Sequence, residues 1–549
     1  MSGQSSRRVA GILLPAFSAR RDGDLGIGDT RALLEWIDLL ADHQVGLLQL
    51  LPINELGSVD SPYDAISSVA LEPLYLSMED VPGIDLGELD RAATEVGEGS
   101  VDYGRSRATK LALLEAAWQR WTDASPDLQK RFAEFREREA RWLDDYCSFR
   151  VLVEKADSAV WDDWPNEWQE VDAARSVAAE HPERISFFAW LQWLGFEQWG
   201  KVRRHADQRG VKLMGDIPIG VSRYSADVFF GRDDFDLDWC GGAPPETMFK
   251  HDAFIRKWGQ NWGIPLYRWD KMRSEDYPWW RQRIEKLTSV FHVFRIDHVL
   301  GFYRIYAFPW LPQRNEEFLE MDGAQAAEAT GGILPRWVPR PDDYVTNKQA
   351  NLADGDRRLR VVLDAAGPGE VVGEDLGTVP DYVRPHLAEL DIAGFRIPHW
   401  DADPQGAVVK PEDMDECAFA TFATHDHDPI SAQWKDIAAR AASDDPEDAA
   451  EATALWKRLA DFAGVRPRGS YTSRVRWSLI DALMRSHSRY AAIMVNDLFM
   501  IDDRINQPGT IGPHNWSFRL ESTVDQLRGR PEWARLAESI VAAERGISR

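Results

Sequence analysis

The chain is short of the residues that staple or anchor a protein. Its 549 residues include three cysteines, Cys147, Cys240 and Cys417. They are too few and too scattered for a disulfide framework or a zinc ribbon, and a reducing compartment suits them. Positive charge is also scarce: 64 basic residues stand against 90 acidic ones, a net charge of −26. That balance argues against a nucleic-acid or anionic-membrane surface, each of which wants basic patches. It is compatible with a neutral or cationic partner. No apolar run is long enough to span a bilayer. Arg7 and Arg8 ahead of apolar residues 9–17 resemble a leader, but the run is short and Arg20, Arg21 and Asp22 follow at once. The run reads as a strand, and the cytoplasm is the expected location. No repeat and no linker divides the chain.

What is present is apolar and aromatic. Hydrophobic residues make up 44% of the chain, enough for a large core, and there are 24 tryptophans. Indole is a flat apolar plate with one donor, suited to stacking on sugar faces, although packing should absorb most of the 24. Buried strands are expected near residues 11, 48, 213, 295, 373, 394, 420 and 494, separated by helical patterns. One such helix follows Asp29, placed to cap it, with Leu33, Leu34, Ile37, Leu40 and Ala41 on one face. Pro380 suits the start of another, carrying Val383, Leu387 and Leu390. Eight parallel strands with interleaved helices predict an α/β fold, a (β/α)8 TIM barrel with large, mainly helical insertions, spanning residues 1–549 as one catalytic unit. Residues 85–185 are expected to form a helical insertion, in which Leu111, Leu114, Trp118 and Trp121 share a helical face. Residues 225–275 and 311–345 are expected as loop insertions over the active site. The glycine, proline and indole of residues 241–263 read as one long functional loop.

Chemistry belongs at the C-terminal ends of barrel strands. In Phe294-Arg295-Ile296-Asp297-His298 an apolar strand carries a cation and a carboxylate two residues apart. Alternation points Arg295 and Asp297 the same way, and a cation favours the charged carboxylate. Such a group suits a glycosidic nucleophile; a structural ion pair is the plain alternative. Glu374, in an apolar strand, suits a general acid/base, because desolvation raises a carboxyl pKa. With Asp375 it could instead be a helix-capping pair. Asp426 is placed to bind sugar hydroxyls and stabilise an oxocarbenium-like transition state. His425-Asp426-His427-Asp428 also permits a metal site, since alternate strand residues share a face, but no second cluster supplies the remaining ligands. Asp216, at another strand end, either holds a substrate hydroxyl or caps loop backbone. Tyr63 sits in the loop after the second strand.

Taken together these motifs resemble the 4-α-glucanotransferases, the amylomaltase or disproportionating-enzyme family related to the α-amylases. The likeness runs through Gly26-Ile27-Gly28-Asp29, Ser61-Pro62-Tyr63, Gly215-Asp216-Ile217-Pro218, Gly259-Gln260-Asn261-Trp262-Gly263, Phe294 to His298, Gly373-Glu374-Asp375-Leu376-Gly377 and Thr424-His425-Asp426. The resemblance implies Asp297 as nucleophile, Glu374 as acid/base and Asp426 as transition-state stabiliser. It implies that Arg295 and His425 hold the sugar at the cleavage subsite, that Tyr63 stacks on it, and that Asp216 belongs to the same shell. Trp262, with Trp258 and Asn261, would contact sugar from a mobile loop on the acceptor side. The implied substrates are maltooligosaccharides and α-1,4-glucans, with glucose as an acceptor and no metal or organic cofactor.

Two departures from the family pattern lie near the expected acceptor side: His427-Asp428-Pro429 after the third carboxylate, and Gly394-Phe395-Arg396-Ile397-Pro398-His399-Trp400. Residues 244–308 look closer to the plant cytosolic form of the enzyme. Two other functions remain compatible with the residues. One is an α-glucan hydrolase using the same carboxylates. The other is a non-catalytic glucan-binding protein, whose mark would be a lost carboxylate.

Overall fold

The computed structural model describes residues 7–97, 99–246, 252–402, 407–467, 469–510 and 512–547. Its twelve strands, in chain order, are β1 (Val9–Leu13), β2 (Leu47–Gln49), β3 (Lys212–Ile217), β4 (Phe235–Ala243), β5 (Gln260–Tyr267), β6 (Val293–Ile296), β7 (Ile305–Phe308), β8 (Arg336–Val338), β9 (Glu370–Gly373), β10 (Ala393–Arg396), β11 (Ala418–Ala420) and β12 (Tyr490–Met494). Eight of them close a barrel in the order β1-β12-β11-β10-β9-β6-β3-β2, every pair parallel. These are the eight strands expected from the sequence. Each is an apolar run because helices cover the outside of the barrel and side chains fill its inside. Asp29 caps the helix Thr30–Asp42 through its carboxylate, which accepts from the Ala32 N–H at 2.9 Å. Leu33, Trp36, Ile37 and Leu40 of that helix are buried.

Residues 86–179 carry four longer helices: Leu86–Thr94, Tyr103–Gln119, Pro126–Ala156 and Val171–Ala179. They share an apolar core separate from that of the barrel, rich in Trp121, Phe132, Phe135, Trp142, Trp161 and Trp164. The helix Pro182–Arg209 belongs to both. Phe187 to Leu194 enter the insertion core, whereas Trp199, Val202 and Ala206 pack on the barrel. Of the helical face expected at Leu111, Leu114, Trp118 and Trp121, Leu114 and Trp121 are buried in the insertion core and Trp118 packs against it. Leu111 is 40% exposed, and the helix ends before Trp121. Ser106, Lys110, Leu113 and Ala117 point inward as well. A buried lysine disguises this stripe, and it is there because its ammonium donates to the Leu74 and Leu76 carbonyls at 2.6 and 2.9 Å.

The long loop expected at residues 241–263 is also corrected. Its two ends, residues 241–243 and 260–263, belong to a second, antiparallel sheet of order β5-β4-β7-β8. A short helix, Ala253–Trp258, lies between them, and residues 247–251 lie outside the described residues. The glycines that resemble loop punctuation permit strand crowding. A Cβ on Gly242 would stand 1.9 Å from the Gln260 carbonyl, and Gly259 turns at φ +102°. Register shifts break the β4–β5 ladder, so no clean alternation survives in the sequence. Residues 311–345 contain β8 and short helices. Among the described residues no helix is long and apolar enough to cross a membrane.

Candidate active site

At the C-terminal mouth of the barrel, parallel register sets the first contacts. Arg295 on β6 lies opposite Asp216 on β3. Both are buried, and Arg295 Nη1 meets the Asp216 oxygens at 2.9 and 2.7 Å. Arg295 Nη2 reaches forward to Asp297 Oδ1 at 2.8 Å, as strand alternation requires. Burial opposes the charge on Arg295, but Asp216 and Asp297 outweigh it and hold its pKa above the ordinary value. One guanidinium therefore fixes two carboxylates. The Tyr63 hydroxyl donates to Asp216 Oδ2 at 2.7 Å, and its ring stacks on His425 at 5.3 Å and 16°.

Glu374 follows β9. Its Oε2 accepts from the His298 N–H at 2.9 Å and its Oε1 from the Leu376 N–H at 3.0 Å. Burial pushes its carboxyl up to about 7, with Asp297 adding to the rise, while Arg295 and the two N–H donors pull the other way. The Glu374-Asp375 pair does not cap a helix. Asp375 turns away into the fold, where it accepts from the Phe395 N–H at 2.6 Å and pairs with Arg384 at 2.9 Å.

Asp426 lies in a turn, not on a strand. β11 ends at Ala420, so the side-by-side placement that would have made His425 to Asp428 a metal face does not occur. His425 faces Tyr63, and His427 pairs with the Thr424 hydroxyl at 2.9 Å. Among the described residues no three His, Cys, Asp or Glu side chains gather as metal ligands. Asp426 Oδ1 accepts from Asn506 Nδ2 at 2.6 Å, and Oδ2 is 3.4 Å from His425 Nε2. Burial alone would raise the Asp426 pKa; His425, Asn506, His427 and Arg295 outweigh it and keep the group below its ordinary value.

These groups border one cleft of about 1630 Å³, whose walls include Tyr63, Arg295, Asp297, Glu374, Asp426 and Trp262. That exceeds the roughly 300–1,000 Å³ of small-molecule pockets and suits an extended ligand. Asp216 and His425 stand just behind the wall, touching residues that form it. Trp262 is 37% exposed and packs edge-on against His298 at 4.9 Å. Asn261 lines the cleft but spends its amide on the loop: Nδ2 donates to the Trp310 carbonyl and Oδ1 accepts from the Gly263 N–H. Trp258 does not reach the cleft. It is buried in the core of the second sheet, its indole N–H donated to the Phe318 carbonyl at 2.9 Å.

Sequence reasoning missed residues 504–517. Besides Asn506, Arg504 holds the Asp426 backbone carbonyl and pairs with Asp428 at 3.2 Å. Trp516 completes an aromatic cluster with Tyr63 at 5.6 Å and His425 at 5.7 Å. It does so from φ +60°, an uncommon conformation for a bulky residue. The helical insertion supports this wall at two points. The Tyr103 hydroxyl donates to the Trp516 carbonyl at 2.9 Å, and the Val101 N–H to the Ser517 carbonyl at 2.8 Å. Gln192 clamps both polar groups of the Leu71 backbone, while Tyr146 and Arg150 hold buried Glu55, gripping the loop that carries Tyr63.

The chain is similar to known proteins in sequence and in fold. The sequence model of the 4-alpha-glucanotransferase family matches residues 14–524. The 4-alpha-glucanotransferase of Chlamydia pneumoniae is 29% identical over 534 residues, 94% of this chain and 92% of that protein. The 4-alpha-glucanotransferase of Thermus thermophilus is 28% identical over 93% of this chain and 95% of its own length. In structure, the amylomaltase from Streptococcus agalactiae, solved in complex with acarbose, is similar with a TM-score of 0.77 at 22% identity, covering 98% of this chain and all of that one. At that identity the likeness bears on the fold alone.

Proposed function

From the premise that this chain belongs to the 4-alpha-glucanotransferase family, and is a glycosyltransferase acting on α-1,4-glucans, we propose that it moves glucan segments by a retaining double displacement through a glucosyl ester on Asp297. The observation that carries the proposal is the gathering of Asp297, Glu374 and Asp426 around one cleft, with Arg295 at 2.8 Å from Asp297.

In the first half-reaction an Asp297 oxygen attacks the anomeric carbon of the donor. The C1–O4 bond breaks and protonated Glu374 gives its proton to the departing O4. In the second, the 4-hydroxyl of an acceptor glucan or of glucose attacks the same carbon. The ester bond breaks and Glu374 takes the hydroxyl proton. Burial supports this division of labour, since it keeps Glu374 protonated toward neutral pH, whereas Asp426 is held ionised to face the positive charge that develops on the sugar. Arg295 binds one oxygen of Asp297 and leaves the other for attack. Tyr63 and Trp516 form an aromatic wall for the donor sugar at the cleavage point, with His425 stacked behind Tyr63. Trp262, packed beside the residue that holds Glu374, covers the acceptor side and limits water.

The test is a product ladder from maltotriose with a separate glucose assay and Asp297→Asn as control. Glucose together with maltopentaose and longer chains, all absent from the variant, is the expected result. Glucose and maltose without longer products would make water the acceptor and the protein a hydrolase. A variant that matches the wild type would remove Asp297 from the chemistry.

A further inference from the structure

The second sheet carries a tryptophan that the chemistry does not use. Trp258 and Trp310, on the same sheet and its flank, are buried with their indole N–H groups bonded. Trp337, at the centre of edge strand β8, differs. It is half-buried, lies outside the buried core of the sheet, and forms part of the cleft wall. Its indole N–H has no acceptor among the described residues.

This ring is held rigidly. The Arg304 guanidinium lies over one face, 3.6 Å from the ring centre. Arg304 is in turn fixed by Asp342 at 2.8 Å, and Asp342 also accepts from Asn351 Nδ2 at 2.8 Å and the Tyr382 hydroxyl at 3.2 Å. Tyr306, the register partner of Trp337 on β7, meets the ring edge-on at 5.5 Å and 77°. With one face and one edge covered, what remains open is the part that borders the cleft.

Its position names the ligand. Arg304 comes six residues after His298, whose N–H holds Glu374, and Tyr382 closes the loop that leaves Glu374. Trp337 also stands on the same four-stranded sheet as Trp262, the residue given above to the acceptor side. Leaving and incoming glucans occupy that side. A rigid indole with a free donor, on the wall of the cleft, has the chemistry to stack on the apolar face of a glucose ring and bond a hydroxyl.

We propose that Trp337 is the platform of a remote acceptor subsite, which binds a glucose unit of an incoming α-glucan away from the bond being made. The enzyme then ranks acceptors by length: a glucan long enough to reach Trp337 gains the contact, and free glucose does not. This rests on the functional reading above.

The test compares Trp337→Leu and Trp337→Phe with the wild type, using amylose as donor and fluorescently labelled maltopentaose or radiolabelled glucose as acceptor. Leucine keeps apolar cover on Arg304 without a flat face; phenylalanine keeps the flat face. The expected result is a KM for maltopentaose raised about tenfold in Trp337→Leu, equivalent to ~1.4 kcal/mol. Its kcat and the KM for glucose should be unchanged, and most of the effect rescued in Trp337→Phe. Equal changes for both acceptors, or none for either, would overturn the platform while leaving the transferase reading intact. If leucine prevents folding, the phenylalanine variant decides alone: it must leave the glucose KM unaltered and shift that for maltopentaose by about two- to threefold, in keeping with a smaller stacking face. A wild type that extends neither acceptor would overturn the functional reading itself, and the subsite with it.

Discussion

Glu374→Gln should make the protein more stable at alkaline pH while disabling it. Burial raises the Glu374 carboxyl from its ordinary 4.5 to about 7, and its side chain is nearly inaccessible. Below about pH 4.5 the group is protonated in both folded and unfolded chains and contributes no pH dependence. Between 4.5 and 7 the unfolded chain releases this proton and the folded chain keeps it. Stability present at low pH is thus lost as pH rises through the folded value, to a limit of about 3 kcal/mol. Glutamine does not titrate. Its amide must turn an N–H₂ toward either the His298 or the Leu376 N–H, a cost of about 1 kcal/mol that is the same at every pH. The variant should therefore gain on the wild type by up to about 3 kcal/mol between pH 4.5 and 8, whatever their difference at one pH. Thermal melts at the two pH values measure this without any substrate. In the wild type, kcat/KM should fall about tenfold per pH unit above pH 7 as the acid form is lost, and the variant should lose roughly 10²–10⁴-fold in rate. A melting difference that is the same at pH 4.5 and pH 8 would refute the claim that burial sets the proton on Glu374.

Tyr103→Phe removes one hydroxyl, in the helical insertion, and leaves the Trp516 carbonyl without that donor. The expected outcome is a several-fold lower kcat with a melting point within a few degrees of the wild type, because Trp516 loses its hold rather than the fold its core; unchanged kinetics would mean the contact is only structural. Arg545 is almost completely buried without a carboxylate partner among the described residues, and burial lowers its pKa to about 9. It donates to the Met484 carbonyl at 2.6 Å and to the Val9 and Arg489 carbonyls at 3.3 Å. Arg545→Met should cost on the order of 3 kcal/mol or more by orphaning these acceptors, seen as a lower melting point with kcat preserved in the folded fraction.

The barrel was legible because each of its strands is buried on both sides and so reads as an apolar run with turn residues at its ends. Asp216, Asp297 and Glu374 stood out for the same reason, as charges ending apolar strands. The second sheet hid because its glycines serve strand crowding in β4 and β5, the same residues that mark loops elsewhere. Trp258 and Trp262 look alike in sequence, four residues apart in one glycine-bearing stretch, although the first ends a helix and the second lies on β5. Only the fold reveals that the first is bonded to the Phe318 carbonyl and the second borders the cleft. Trp516, Asn506 and Arg504 lie in irregular backbone with no periodicity to reveal a direction. The lysine in the buried stripe of the helix Tyr103–Gln119 misled for a simpler reason: its partners are backbone carbonyls, which every sequence has and none displays.

The seam of the barrel has a cost in time. β1 pairs along its whole length with β12, Val9 opposite Tyr490 through Leu13 opposite Met494. Some 480 residues must be made after β1 before its partner exists, which at ~5–20 residues per second takes roughly 24–96 s. Through that interval all five residues of a strand destined for full burial have one edge without a mate. A chain released before β12 is synthesised is left as an open sheet of seven strands, with β1 at one border and β11 at the other. Those borders are built to accept the same missing strand, so each incomplete chain offers the next one a place to pair.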